Sequence, residues 1–300
     1  MNVLYSKNAR FRILAHFILL AISMLCSGQV FAQTFADGDL TYSTVGVPAG
    51  QVKVTGCAAD PCASLDIDIP VTATGATTYS VTRIKENAFA RRNIASVKIP
   101  STITVIEFSA FEVNALASLI IPDSVIAIGN GAFFSNGIRS LILPATVTAL
   151  GQGVFEENEL TSLTIQEGVE SIPASTFAGN NLAIVTIPSS VTTIGVSAFE
   201  QNKLTLVAFK GNRGSFDDQT FGNNVNLARI TYCEGASGWP GTPFNRGIPN
   251  TSTNTVTPVA VSCNVLPPAT IAQVPTSPLW LLGIMAGLLS VLGIRKLPQA

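Results

Sequence analysis

Few side chains in this 300-residue chain could carry chemistry: it holds one histidine, five cysteines and 12% charged residues. The histidine, His16, lies in a leading segment that reads as removable. Without it, neither a Ser-His-Asp nor a Cys-His mechanism can be assembled, nor a histidine metal site. Carboxylates gather at Glu156, Glu157 and Glu159, at Asp37-Gly38-Asp39 and at Asp217-Asp218. Such pairs can hydrolyse glycosides or ligate Ca²⁺. None stands apart from its loop, and no fixed-spacing calcium loop surrounds one, so solvated turns are expected. The reading is a protein that is not an enzyme and takes no cofactor and no metal.

Beyond the leader four cysteines remain, an even number suited to an oxidising compartment. Cys57 and Cys62 enclose a short loop, and Cys233 and Cys263 bracket a segment rich in Gly, Pro, Thr and Asn. Of three possible connectivities, the local pairs Cys57–Cys62 and Cys233–Cys263 are expected. The net charge of −1 is an average over unlike parts. Lys7, Arg10, Arg12, Arg295 and Lys296 lie at the ends; without those five of the 17 basic residues, 12 face 18 acids, a balance of about −6. An anionic chain cannot neutralise phosphates, so no nucleic acid is expected as a partner.

Both ends read as export signals. Lys7, Arg10 and Arg12 precede the apolar run Ile13–Leu25, and Val30-Phe31-Ala32 supplies a small–x–small site. Residues 1–32 are therefore expected to be a signal peptide, cut by signal peptidase between Ala32 and Gln33. At the other end, the uncharged run Pro278–Ile294 is followed by Arg295-Lys296. As a helix it would be ~25 Å long, slightly short of a ~30 Å hydrocarbon core, with the basic pair on the cytoplasmic side. A Pro-containing linker, 265–275, leads into this transmembrane tail, 276–300. Val274-Pro275-Thr276, with Trp280 four residues beyond Thr276, resembles the IPTL form of the PEP-CTERM-type sorting tails, although Ser277 replaces the usual Leu. The resemblance implies a Gram-negative bacterium, recognition by an exosortase-type sorting protease, and delivery to the cell surface, outer envelope or exterior. A plain single-span anchor is the alternative.

Between the ends the chain repeats. Phe89, Phe111, Phe133, Phe155, Phe177, Phe199 and Phe221 recur with a strict 22-residue period. Asn follows three residues after six of them, from Asn114 to Asn224, and one place later, as Asn93, in the first unit. Leu116, Leu119 and Ile121 keep the same phase in successive units, often before a proline such as Pro122, and Val125 and Ile128 precede the next Phe. No isolated unit can bury so many apolar side chains, whereas stacked units bury them against one another. Val97-x-Ile99, halted by Pro100, reads as a short strand. An internal Phe stack follows from this arrangement, and the Asn column is expected to satisfy backbone groups of the turns.

The pattern resembles the BspA-type leucine-rich repeats: Leu116-x-x-Leu119-x-Ile121-Pro122, Val125-x-x-Ile128-Gly129 and Ala132-Phe133 match it slot for slot. The resemblance implies a leucine-rich-repeat solenoid on an exported protein, often linked with adhesion or host binding. The expected fold is seven 22-residue repeats of short parallel β-strands with turns or 3-10 segments, closed by disulfide-stapled caps. The expected parts are an N-terminal cap at 33–80, the solenoid at 81–232 and a C-terminal cap at 233–264.

If the Leu-x-x-Leu-x-Ile strand lines one face, the side chains between its apolar slots point outward. The candidate binding face is then Ser96, Ser118, Ser140 and Ser162 beside Lys98, Ile120, Ile142, Thr164 and Thr186. Ile120 and Ile142 form an apolar patch on it, which can mark a partner or simply reflect β-propensity. The expected function is non-catalytic binding of an extracellular protein or polysaccharide, as in adhesion. The alternative is a structural matrix or envelope component held by the tail.

Overall fold

The computed structural model describes residues 33–60, 62, 66–216, 219–239, 244–245 and 255–262. The expected leader, linker, sorting motif and transmembrane tail lie outside them, as do Asp217, Asp218 and Cys263. Among the described residues no helix is long and apolar enough to cross a membrane.

The chain coils, and two columns of short strands run along the coil. Four successive units each contribute a strand to the first column: Ser140–Leu143, Ser162–Ile165, Ile184–Ile187 and Leu206–Phe209. Ser140–Leu143 pairs in parallel with Ser162–Ile165, and Ile184–Ile187 with Leu206–Phe209, each at the offset of one repeat unit. The second column comes from the Val/Ile pair ahead of each Phe. Val105–Ile106 pairs in parallel with Ala127–Ile128, which pairs with Ala149–Leu150.

Inside the coil the seven phenylalanines form one continuous stack. Successive ring centroids lie 5.2–5.8 Å apart with interplanar angles of 3–23°. This is the offset geometry that aromatic quadrupoles favour. Six of the rings have no exposed surface, and Phe221, at the end, is nearly as buried. Leu116, Ile138, Leu160, Leu182 and Leu204 line the same interior.

Two left-handed residues bracket each of the first six stacked rings, Phe89 to Phe199. Those two places before it are Asn87, Ser109, Gly131, Gly153, Ser175 and Ser197; those two after it run from Arg91 and Val113 to Gln201. They reverse the chain so that the backbone of the corner pairs with the next unit: Phe111 N–H donates to Ala132 O at 2.8 Å, and Phe177 N–H to Ala198 O at 2.8 Å. They also decide between the two expected forms of the corner, a turn or a 3-10 segment. Among the described residues these corners contain no 3-10 helix; they are single turns such as Glu112 N–H to Ser109 O, 3.1 Å. A left-handed residue on each side of the ring interrupts the run of right-handed residues that a 3-10 helix needs.

The asparagine column performs the backbone repair expected of it. Asn180 Nδ2 donates to the carbonyl oxygens of Phe155 (2.9 Å), Phe177 (3.2 Å) and Ala178 (3.1 Å), while its Oδ1 accepts from Leu160 N–H at 2.9 Å. Asn202 and Asn224 repeat the pattern one and two units on. These amides stand in for ladder bonds that the sharp corner cannot make. Asn93 is outside the column: it is left-handed and exposed, and Asn114 Oδ1 accepts instead from the N–H groups of Arg92 and Ile94.

The rung containing Leu116, Leu119 and Ile121 also departs from the expected array. It has no parallel ladder partner among the described residues. Its buried leucines and the Leu116 N–H to Asn136 bond, 3.2 Å, hold it in the stack instead.

At the N-terminal end, Thr34–Asp37, Leu40–Ser43 and Gln51–Cys57 form an antiparallel meander. Gln51–Cys57 then pairs in parallel with Thr78–Ile84, which pairs with Val105–Ile106, so this end and the second column share one sheet. The opposite end slips register. Leu206 pairs with Arg229, one place beyond the offset that the preceding rungs keep. The strand column does not stop there: Arg229–Cys233 pairs in parallel with Pro258–Val261.

Candidate binding face

Alternation decides which side chains of the first column reach solvent. In Ser140–Leu143, Leu141 and Leu143 are buried while Ile142 is 41% exposed. Ile120, in the unpaired rung, is 73% exposed, and Ile184 is 43% exposed. Of the other candidate residues, Ser96, Lys98 and Ser118 are exposed, and Ser140, Ser162, Thr164 and Thr186 are half-buried. The ladder sets Ser140 beside Ser162 and Ile142 beside Thr164. Thr186 has Ala208 as its neighbour, which is fully buried, so the outward rows close over toward the C-terminal end.

The two outward rows extend one rung farther toward the N-terminus than the repeat period shows. Asp66–Asp68 pairs in parallel with Ser96–Lys98, setting Asp66 beside Ser96 and Asp68 beside Lys98. Ser96 Oγ donates to Asp66 at 2.6 Å, and Lys98 Nζ to Asp68 at 3.1 Å. The period hides this rung because its offset from the next is longer than one repeat unit. A signal was nonetheless present, since Ile67-x-Ile69-Pro70 repeats the Val97-x-Ile99-Pro100 pattern.

The disulfide Cys57–Cys62 is formed, with Cα atoms 5.3 Å apart. Its loop is tied to the first unit by an ion pair between Asp60 and Arg92. Cys233 is also disulfide-bonded; Cys263 lies outside the described residues.

The acidic turn at Glu156, Glu157 and Glu159 lies apart from the face, at the Phe155 corner. Burial pushes the Glu156 carboxyl above its ordinary pKa, reinforced by the charges of Glu157 and Glu200. Glu159 is instead drawn into an ion pair with Arg139 at 3.0 Å. Asp37 and Asp39 flank an exposed turn at Gly38. Among the described residues no three His, Cys, Asp or Glu side chains converge as a metal site.

A family profile for the BspA type leucine rich repeat region matches residues 76–158 and 148–245, in six copies. Among solved structures, the pneumococcal vaccine antigen PcpA aligns at 19% identity and a TM-score of 0.54, over 68% of this chain and 65% of that one. This chain thus spans just under two thirds of that antigen's length. A leucine rich cell surface protein from Faecalibacterium prausnitzii A2-165 aligns at 19% identity and a TM-score of 0.45, over 68% and 71% of the two chains. No curated protein matches the chain. At such identities the antigen's likeness speaks for the fold alone, in agreement with the parallel rungs and stacked corners. The profile covers more than half of the sequence, and the chain belongs to the BspA-type leucine-rich-repeat family.

Proposed function

We propose that this protein is a non-catalytic, surface-exposed binding module that attaches to an extracellular protein or polysaccharide. The observation that carries the reading is the outward face of the strand column, where Ile120 and Ile142 stand exposed beside the hydroxyls of Ser118 and Ser140. Apolar side chains on a hydroxyl-lined, weakly charged surface suit a contact made of many small contributions. Family membership and the leader-like N-terminus support the same reading.

In this proposal seven 22-residue units form the binding array, with stapled caps at its ends and Cys233 paired to Cys263. The leader directs export, and the Val274-Pro275-Thr276 tail with Trp280 delivers the protein through an exosortase-type protease in a Gram-negative envelope. The test is a panel of purified matrix proteins and polysaccharides presented to the protein and to its Ile120→Asp/Ile142→Asp variant. The reading expects one class to bind and the folded variant to lose at least tenfold in affinity. Equal binding by both would remove this face from the account.

A further inference from the structure

The N-terminal end of the face opens into a cleft with a volume of about 870 Å³. Its walls come from three places: the turn at Gly38, the rung Asp66–Asp68 with the segment that follows, and the first repeat rung at Lys98. Five charged side chains line it, Asp37, Asp39, Asp66, Asp68 and Lys98, a net charge of −3. Lys98 pairs with Asp68, and Asp37 accepts the Thr74 N–H at 2.7 Å. The Asp39 carboxylate has no partner among the described residues. Ile67, Ile69 and Val71 make part of the wall apolar.

A second observation is independent of the carboxylates. Tyr42 lines the cleft; it is fully buried, and its hydroxyl has no hydrogen-bond partner among the described residues. Burial, then the nearby Asp37 charge, pushes this phenol up to about 12. A buried hydroxyl left without a partner is costly. A ligand N–H would supply the missing donor.

We propose that this cleft takes a lysine or arginine side chain presented by a polypeptide partner. The aliphatic stem lies along the apolar wall, the cationic head meets the carboxylates of Asp37 and Asp39, and one of its N–H groups reaches Tyr42. Because Asp66 and Asp68 adjoin Ser96 and Lys98 in the ladder, a peptide held here continues onto the outward face. Naming a polypeptide as the carrier of the cation rests on the binding function proposed above.

The test uses the purified full chain and a fluorescein-labelled Arg-Gly-Arg peptide, with Glu-Gly-Glu as its counterpart, followed by anisotropy. The arginine peptide is expected to bind and the glutamate peptide not to bind. Asp37→Asn/Asp39→Asn is expected to weaken binding at least tenfold. Tyr42→Phe should weaken it severalfold without lowering the melting temperature, while Glu156→Gln/Glu157→Gln, at the other acidic turn, leaves it unchanged. Equal affinity in the Asp37/Asp39 variant, or equal loss in the Glu156/Glu157 variant, would overturn the proposal. The outward face is tested by the Ile120→Asp/Ile142→Asp variant against the panel above and the cleft by the Asp37→Asn/Asp39→Asn variant against the arginine peptide, so failure of one reading is told apart from failure of the other.

Discussion

The side-chain amide of Asn158 donates to the carbonyl oxygen of Phe133 at 2.9 Å, binding one turn of the coil to the Phe corner of the turn before it. Its Oδ1 accepts from Ile138 N–H at 3.2 Å, so one buried side chain satisfies a donor and an acceptor of the neighbouring unit. Truncating it strands both groups, at a cost of about 1–3 kcal/mol each. Asn158→Ala is expected to lose roughly 2–4 kcal/mol in urea unfolding. Asn158→Asp should do worse at neutral pH, since a carboxylate has no N–H to donate, and should recover partly in acid as it gains a proton. Equal stability of the two variants at every pH would contradict the clamp.

Phe155 sits between two rings, 5.6 Å from Phe133 and 5.8 Å from Phe177, with no exposed surface. Phe155→Ala opens a cavity in the middle of the stack and is expected to cost about 3–5 kcal/mol. Phe155→Leu should cost clearly less. The comparison needs only thermal melts of the two variants.

Val113 holds a φ of 53° at a corner where other units place Gly179, Gln201 or Asn223. A β-branched residue is strained there, whereas Asn enters this region readily. Val113→Asn is expected to gain about 0.5–1 kcal/mol, read as a higher melting temperature. A loss of stability would mean that the half-buried valine side chain contributes more by packing than its backbone costs.

Glu167 links two successive turns. Its carboxylate accepts from Ser189 Oγ at 3.0 Å and from the backbone N–H groups of Ser189 (3.3 Å) and Ser190 (3.2 Å). Burial acts to raise its pKa, but those bonds and the Lys210 charge outweigh it, so the net shift is downward. The stabilisation is therefore present above the ordinary glutamate pKa and is lost as pH falls through the depressed value. Glu167→Gln should flatten the acid limb of the stability profile, with little change below pH ~3.

Tyr42 gives the opposite limb. Its phenol is raised to about 12 by burial and by Asp37, so the folded state keeps a proton that the unfolded chain releases near pH 10. Stability should fall between about pH 10 and pH 12. Tyr42→Phe should remove that fall and, by deleting a buried hydroxyl that has no partner among the described residues, hold or raise stability at neutral pH by up to about 1 kcal/mol.

Much of this fold could be read from spacing because every unit meets nearly the same surroundings. A ring that recurs at one constant spacing must pack on its own copies, and the leucine and isoleucine slots follow by the same logic. The outward rows were legible for the same reason, as Ile142 between Leu141 and Leu143 shows. The corner was not. Val113 and Arg91 carry no side-chain signature of a left-handed backbone, and a 3-10 segment was an equally natural reading of the same residues.

The amino-acid sequence by itself determined the repeat, the buried columns and the membership that follows from them, because a strict period turns a local pattern into a global constraint. Only the tertiary structure decided what happens where the period breaks. It set Asp66 beside Ser96 across a stretch longer than one repeat, buried the Tyr42 hydroxyl without a partner among the described residues, and gathered four aspartates around one cleft. These groups come from segments of unlike sequence and unequal separation. No recurring spacing links them, and only the docking of the N-terminal meander onto the first rung brings them within reach of one another.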